Sequence, residues 1–106
     1  MADYVLLYTG GGMPETEEEQ AEVMQAWDVW FGQIGGALKD GGNPFGPTAK
    51  TIAPDGSMSD GTSGAVHTGY TIVQADSLDA ATTIAKGCPV LQGGASITVY
   101  ETLAVM

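Results

Sequence analysis

His67 is the one imidazole in this chain. Imidazole is the side chain that titrates nearest neutral pH, which makes His67 the first candidate for a general base. To act as one it needs a carboxylate that orients the ring and a substrate proton within reach. Two carboxylates qualify by position. Asp60 lies seven residues earlier, across the glycine-rich stretch GTSGA (61–65), and Asp28 sits in a long apolar-periodic segment near the start. Pairing with Asp60 gives a His–Asp acid/base dyad; the structural alternative is a solvent-facing histidine at a strand end.

Other stretches invite chemistry and fail its requirements. In YVLLYTGGGMPETEEE (4–19) a short apolar run ends in three glycines before a helix start, the order in which many proteins hold a phosphate. A dinucleotide fingerprint needs a third glycine where Glu15 stands, and a phosphate loop needs a Lys that is absent. Glu15, Glu17, Glu18 and Glu19 would also repel a phosphate there. The glycines are therefore expected to form a flexible lip. DGSMSDG (55–61) has Asp60 where a calcium loop requires Gly, and Val66 where it requires a bidentate Glu, so no metal site and no cofactor is expected. Cys88 follows a helix C-terminus, where the dipole favours thiol over thiolate, and reads as a buried structural thiol. Pro89 leaves open a new turn capped by Cys88. Tyr8, Trp27, Trp30, Tyr70 and Tyr100 line an apolar pocket with hydroxyls at its mouth on one reading, and are ordinary core on the other.

Composition narrows the partners. Three Lys and no Arg stand against 13 Asp and Glu, for a formal charge of -10. So few cations leave nothing to hold a nucleic-acid backbone or an anionic lipid surface. A ligand in so negative a field is expected to be small and apolar or cationic. The single Cys excludes an internal disulfide. MADYVLLY lacks the basic region and length of a signal peptide, and no apolar stretch approaches a membrane span, so a soluble cytoplasmic protein is expected.

The elements that must position these residues follow from periodicity. DYVLLYT (3–9) reads as a strand apolar on both faces, Tyr4, Leu6 and Tyr8 on one and Val5 and Leu7 on the other. Thr16 with Glu19 has capping-box spacing, and Val23, Trp27, Trp30, Ile34 and Leu38 recur at helical steps, which predicts a helix over 17–39 with Lys39 in its last turn and Gly41 as C-cap. Gly35 and Gly36 inside it suggest close packing. AKTIA (49–53) and SMS (57–59) flank the turn PDG as a short hairpin. TGYTIVQA (68–75) is a strand, Ser77 caps a second helix ending near Gly87, and ASITVYETL (95–103) is the closing strand. One domain spans 1–106, with strands and helices interspersed as in a two-layer α+β sandwich, an antiparallel sheet with two helices on one face. The other sheet face is then bare and apolar, and a second copy packed sheet to sheet is the simplest cover.

The segment GYTIVQADSLDAATTIAKGCPVLQGGASITVYE (69–101) resembles the end of YCII-related (DGPF-domain) proteins, which share a similar strand, an SLDEA-like helix start, a CP and a GG before the last strand. YVLLYTGG and the Trp-bearing first helix fit as well, so the likeness spans essentially the whole chain. The resemblance implies a ferredoxin-like fold, the dimeric α+β barrel, and a homodimer. It implies little chemistry: a His–Asp site has been suggested for some members, by likeness to muconolactone isomerases. The hallmark Asp-Gly-Pro-Phe stands here as Asp60-Gly61-Thr62-Ser63, and there is no His near the first strand.

Two functions remain open on the residues. The first is a non-catalytic protein that binds a small organic ligand in a cleft of the homodimer, with Tyr8, Trp27, Asp28, Tyr70 and Tyr100 as contacts. The second is a cofactor-free isomerase or lyase acting on a small organic molecule, with His67 as base and Asp60 as its partner.

Overall fold

The computed structural model describes residues 1–12, 14–62 and 64–104. Ser63, the last residue of the DGTS tetrapeptide, lies outside the described residues. The elements are β1 (Ala2–Thr9), α1 (Glu17–Ile34), β2 (Leu38–Asp40), β3 (Lys50–Ile52), β4 (Met58–Asp60), β5 (His67–Ala75), α2 (Leu78–Ala85) and β6 (Ser96–Glu101). Single 3-10 turns at Gly35–Ala37 and Pro89–Gly93 link α1 to β2 and lead into β6.

The alternation of β1 sets the layers. Tyr4, Leu6 and Tyr8 are buried, while the residues between them are only partly so. The two central strands pair antiparallel over their full length, Leu6 opposite Thr71 and Leu7 opposite Tyr70, and β6 flanks β1 on the other side. The main sheet has the order β2-β5-β1-β6, all antiparallel, and both helices contribute to the core on the Tyr4/Leu6/Tyr8 side. Order and layering are those compatible with a ferredoxin-like α+β fold. The hairpin β3–β4 forms a separate two-stranded sheet and is not part of this one.

Both helices start where side-chain caps were expected. Thr16 Oγ1 accepts from Glu19 N at 3.1 Å, and Ser77 Oγ accepts from Ala80 N at 3.1 Å. The end of α1 differs from expectation: it stops at Ile34, five residues short of 39. Gly35 turns to φ 51° and returns its N–H to Phe31 O, a conformation that ends a helix and that glycine adopts without a Cβ penalty. Nothing packs within 4 Å of the Cβ position at Gly35 or Gly36, so termination and not close packing is their role. Leu38 continues the helical spacing by coincidence. It pairs with Val73 as the edge strand β2, and Lys39 belongs to that strand, not to a helix end. Gly41 is likewise no C-cap; it packs against Phe31.

Candidate functional site

On the helix side of the sheet, one polar chain crosses the core. Cys88 Sγ donates to the Tyr8 hydroxyl (3.4 Å), which donates to Thr71 Oγ1 (2.6 Å), which donates to Gly41 O (3.1 Å). Tyr8, Thr71 and Cys88 are all buried, and among the described residues no buried side-chain polar atom lacks a partner. Desolvation raises the Tyr8 phenol far above its ordinary value and raises the Cys88 thiol too, so both are neutral donors at physiological pH. Around this chain the rings of Tyr8, Trp27, Trp30 and Phe31 stack at tilted and edge angles, with centroids 5.5 to 5.9 Å apart. Trp30 is fixed by its Nε1, which donates to Ile84 O of α2 at 3.2 Å.

The opposite face carries a different set. Val5 stands opposite Ile72 and Tyr100, and Leu7 opposite Tyr70 and Thr98, so these side chains share one surface. Val5, Leu7, Tyr70 and Ile72 are partly exposed, and Tyr100 is 57% exposed. Phe45 lies against Tyr70, with centroids 5.9 Å apart. Each end of this apolar strip is polar. At one end Lys39 Nζ lies 2.7 Å from Asp3 Oδ2 and Gln74 Nε2 donates to Asp3 Oδ1 at 3.3 Å. At the other, His67 Nδ1 and Thr9 Oγ1 are 3.1 Å apart.

The five aromatic residues expected around one pocket therefore divide between two faces. Tyr8, Trp27 and Trp30 fill the core, and Tyr70 and Tyr100 stand on the open face. Tyr8 presents its hydroxyl to Thr71, not to the mouth of a cleft. Asp28 is exposed on α1. His67 is exposed at the start of β5 and its side-chain partner is Thr9. Asp60 ends β4, where its carboxylate lies 3.9 Å from Lys50 Nζ. Among the described residues, His67 and Asp60 share neither a hydrogen bond nor an ion pair.

The glycine loop is tied down on both sides. Gly10 N donates to Val66 O at 3.0 Å and Gly12 N donates to Gly93 O at 3.1 Å, so two of the amides that could face a phosphate are already used. A Cβ on Gly11 would lie 2.9 Å from the Ala95 Cβ. Gly11 serves the close approach of this loop to Ala95, and the backbone ties of Gly10 and Gly12 hold a loop that was expected to be a flexible lip. Among the described residues no group of three or more His, Cys, Asp or Glu is placed to hold a metal ion, and no helix is long and apolar enough to cross a membrane.

Shallow grooves mark the surface of the described residues. One of about 420 Å³ runs along α1 past Ala26, Val29 and Trp30 to Pro89; another of about 590 Å³ lies at the root of the hairpin, between Pro47–Lys50 and Asp60–Gly61. His67 lines neither.

Sequence reasoning missed Thr71, the hinge of the buried hydrogen-bond chain. The available signal was a polar residue in phase with Val73 and Ala75 on a strand whose inward positions are otherwise small or apolar. No protein-family model matches this chain, and no curated protein sequence matches it.

Proposed function

We propose that the chain is a cytoplasmic, YCII-related protein that works as a homodimer, with paired sheets in the manner of a dimeric α+β barrel, and that the dimer binds a small apolar or cationic organic molecule without catalysis. The observation that carries this reading is the open sheet face. Val5, Leu7, Tyr70, Ile72 and Tyr100 make an apolar strip between two polar ends, the arrangement of an interface core with its rim. Joining two copies across that strip removes it from water and encloses space between the sheets, into which Tyr70 and Tyr100 can offer aromatic faces and hydroxyls to a cation or a neutral ring.

His67 favours a second reading. It is exposed at the rim of the same strip and its ring is positioned by Thr9. A base there serves a cofactor-free isomerase or lyase, provided that Asp60 swings from Lys50 to the imidazole when substrate binds.

Sedimentation velocity at micromolar concentration tests the dimer. The expected mass is twice 10.9 kDa, and Ile72→Lys, which places a charge in the middle of the strip, is expected to give folded monomer. A wild-type monomer would contradict the proposal. A thermal-shift screen of small aromatic cations and neutral rings tests binding. A ligand held at a hundred times its Kd stabilises by about 2.7 kcal/mol, roughly ten degrees for a chain of this size. His67→Ala separates the two readings: a binding protein keeps its ligand affinity, whereas an enzyme loses turnover with fold and dimer intact.

A further inference from the structure

The hairpin β3–β4 is a well-made element that buries nothing of its own. Its turn is closed by Ala53 N to Ser57 O (2.7 Å) and Gly56 N to Ala53 O (2.8 Å), and Asp55 Oδ1 accepts from both the N and the Oγ of Ser57. Its base is closed by Gly61 N to Ala49 O and by Thr51 Oγ1 to Gly61 O, both 2.8 Å. Yet no described residue from Asn43 to His67 is buried. Alternation along the strands puts Thr51 and Ser59 on one face and the Ile52–Met58 pair on the other, and these two are 67% and 69% exposed. A two-stranded hairpin of this length is at best marginal in water, and an exposed apolar cross-strand pair at its end gains by being covered.

The shape of the molecule points the same way. Its extents are 44 × 41 × 18 Å and its radius of gyration is 15.2 Å, against about 13 Å for a compact domain of this length. The arm leaves the sheet beside the open face: Phe45 N donates to Thr68 O at 2.9 Å on the edge of β5, and the Phe45 ring covers Tyr70. Area decides who the partner is. Four strands about 4.8 Å apart and three to nine residues long present on the order of 400 Å², short of the roughly 800 Å² per partner of a stable interface. A preformed arm that starts at the rim of that face supplies the remainder with little ordering cost.

We infer that the β3–β4 hairpin is a dimerisation arm, which reaches past the paired sheets and lays Ile52 and Met58 on the second copy of the chain. The inference rests on the homodimer proposed above. Sedimentation equilibrium of the full chain, the double variant Ile52→Ser/Met58→Ser and the sheet-face variant Ile72→Lys tests it, with hydrogen exchange of the arm amides in the wild type at high and low concentration.

The expected result is a wild-type dimer whose Ala53, Gly56 and Gly61 amides lose protection on dilution. The double variant should keep the near-ultraviolet signal of Trp27 and Trp30 while its dissociation constant rises roughly thirty-fold. If the double variant dimerises as tightly as wild type, or arm exchange is the same in monomer and dimer, the arm inference is overturned; Ile72→Lys still dissociating would then leave the sheet-face dimer standing. A wild type that is monomeric at every concentration overturns both.

Discussion

The Tyr8 hydroxyl donates to Thr71 Oγ1 at 2.6 Å across the two central strands, and this bond joins a thiol on one side of the core to a backbone carbonyl on the other. Its two ends are unequal. Removing the phenol oxygen by Tyr8→Phe deletes the donor to Thr71 together with its need, leaves only the weak Cys88 S–H without its acceptor, and should cost about 1 kcal/mol. Thr71→Val keeps the volume but leaves the buried Tyr8 hydroxyl without its acceptor and Gly41 O without this donor, and should cost about 3 kcal/mol. Urea unfolding of the two variants checks the order, and equal costs would show that Thr71 does not carry the chain.

Glycines 42 and 32 should respond in opposite directions. Gly42 has φ 72°, and a Cβ there would collide with Tyr70 O, so Gly42→Ala requires the backbone to move. Loss of several kcal/mol, or failure to fold, is expected. Gly32 lies inside α1 with nothing within 4 Å of its Cβ position, and Gly32→Ala should add about 0.5–1 kcal/mol. Thermal melts of the two proteins suffice.

Acid should loosen the polar end of the open face before the core responds. The Lys39 ammonium beside Asp3 holds its carboxyl below the usual carboxylate range. A carboxyl with a lowered pKa in the folded state contributes stability that is complete above the ordinary range. That contribution is lost as the pH falls through the lowered value. The pair is partly exposed, so the effect is small. NMR titration should show the Asp3 midpoint rising in Lys39→Met; an unchanged midpoint would mean that the ion pair is not formed in solution.

Salt should tighten the proposed dimer. Each copy carries -10 at neutral pH, so association brings like charges together around an apolar strip. Screening shortens the reach of that repulsion while leaving apolar burial intact. The dissociation constant should fall several-fold from low to physiological ionic strength, read by sedimentation. A dimer that weakens with salt would instead be held by ion pairs, and the apolar strip would not be its centre.

What local chemistry decides was legible in the residues. Thr16 and Ser77 start the helices because their hydroxyls meet amides three residues on, and Tyr4, Leu6 and Tyr8 face inward because a strand alternates. The hairpin followed from PDG between two short apolar-flanked runs, its turn closed within a few residues. Tertiary structure decided the rest. Leu38 fits a helical stripe as well as an edge strand, and only the open flank of β5 beside Val73, with Gly35 turning the chain, selects the strand. Tyr8, Trp27, Tyr70 and Tyr100 are equally aromatic in the sequence, yet the register of β1, β5 and β6 and the packing of α1 put the first two and the last two on opposite sides of one sheet. His67 and Asp60 stand seven residues apart, but β5 ties the one to Thr9 and the hairpin ties the other to Lys50. Spacing along a chain sets which neighbours can meet within a turn; which distant groups share a face depends on strand register, and register is a property of the packed sheet.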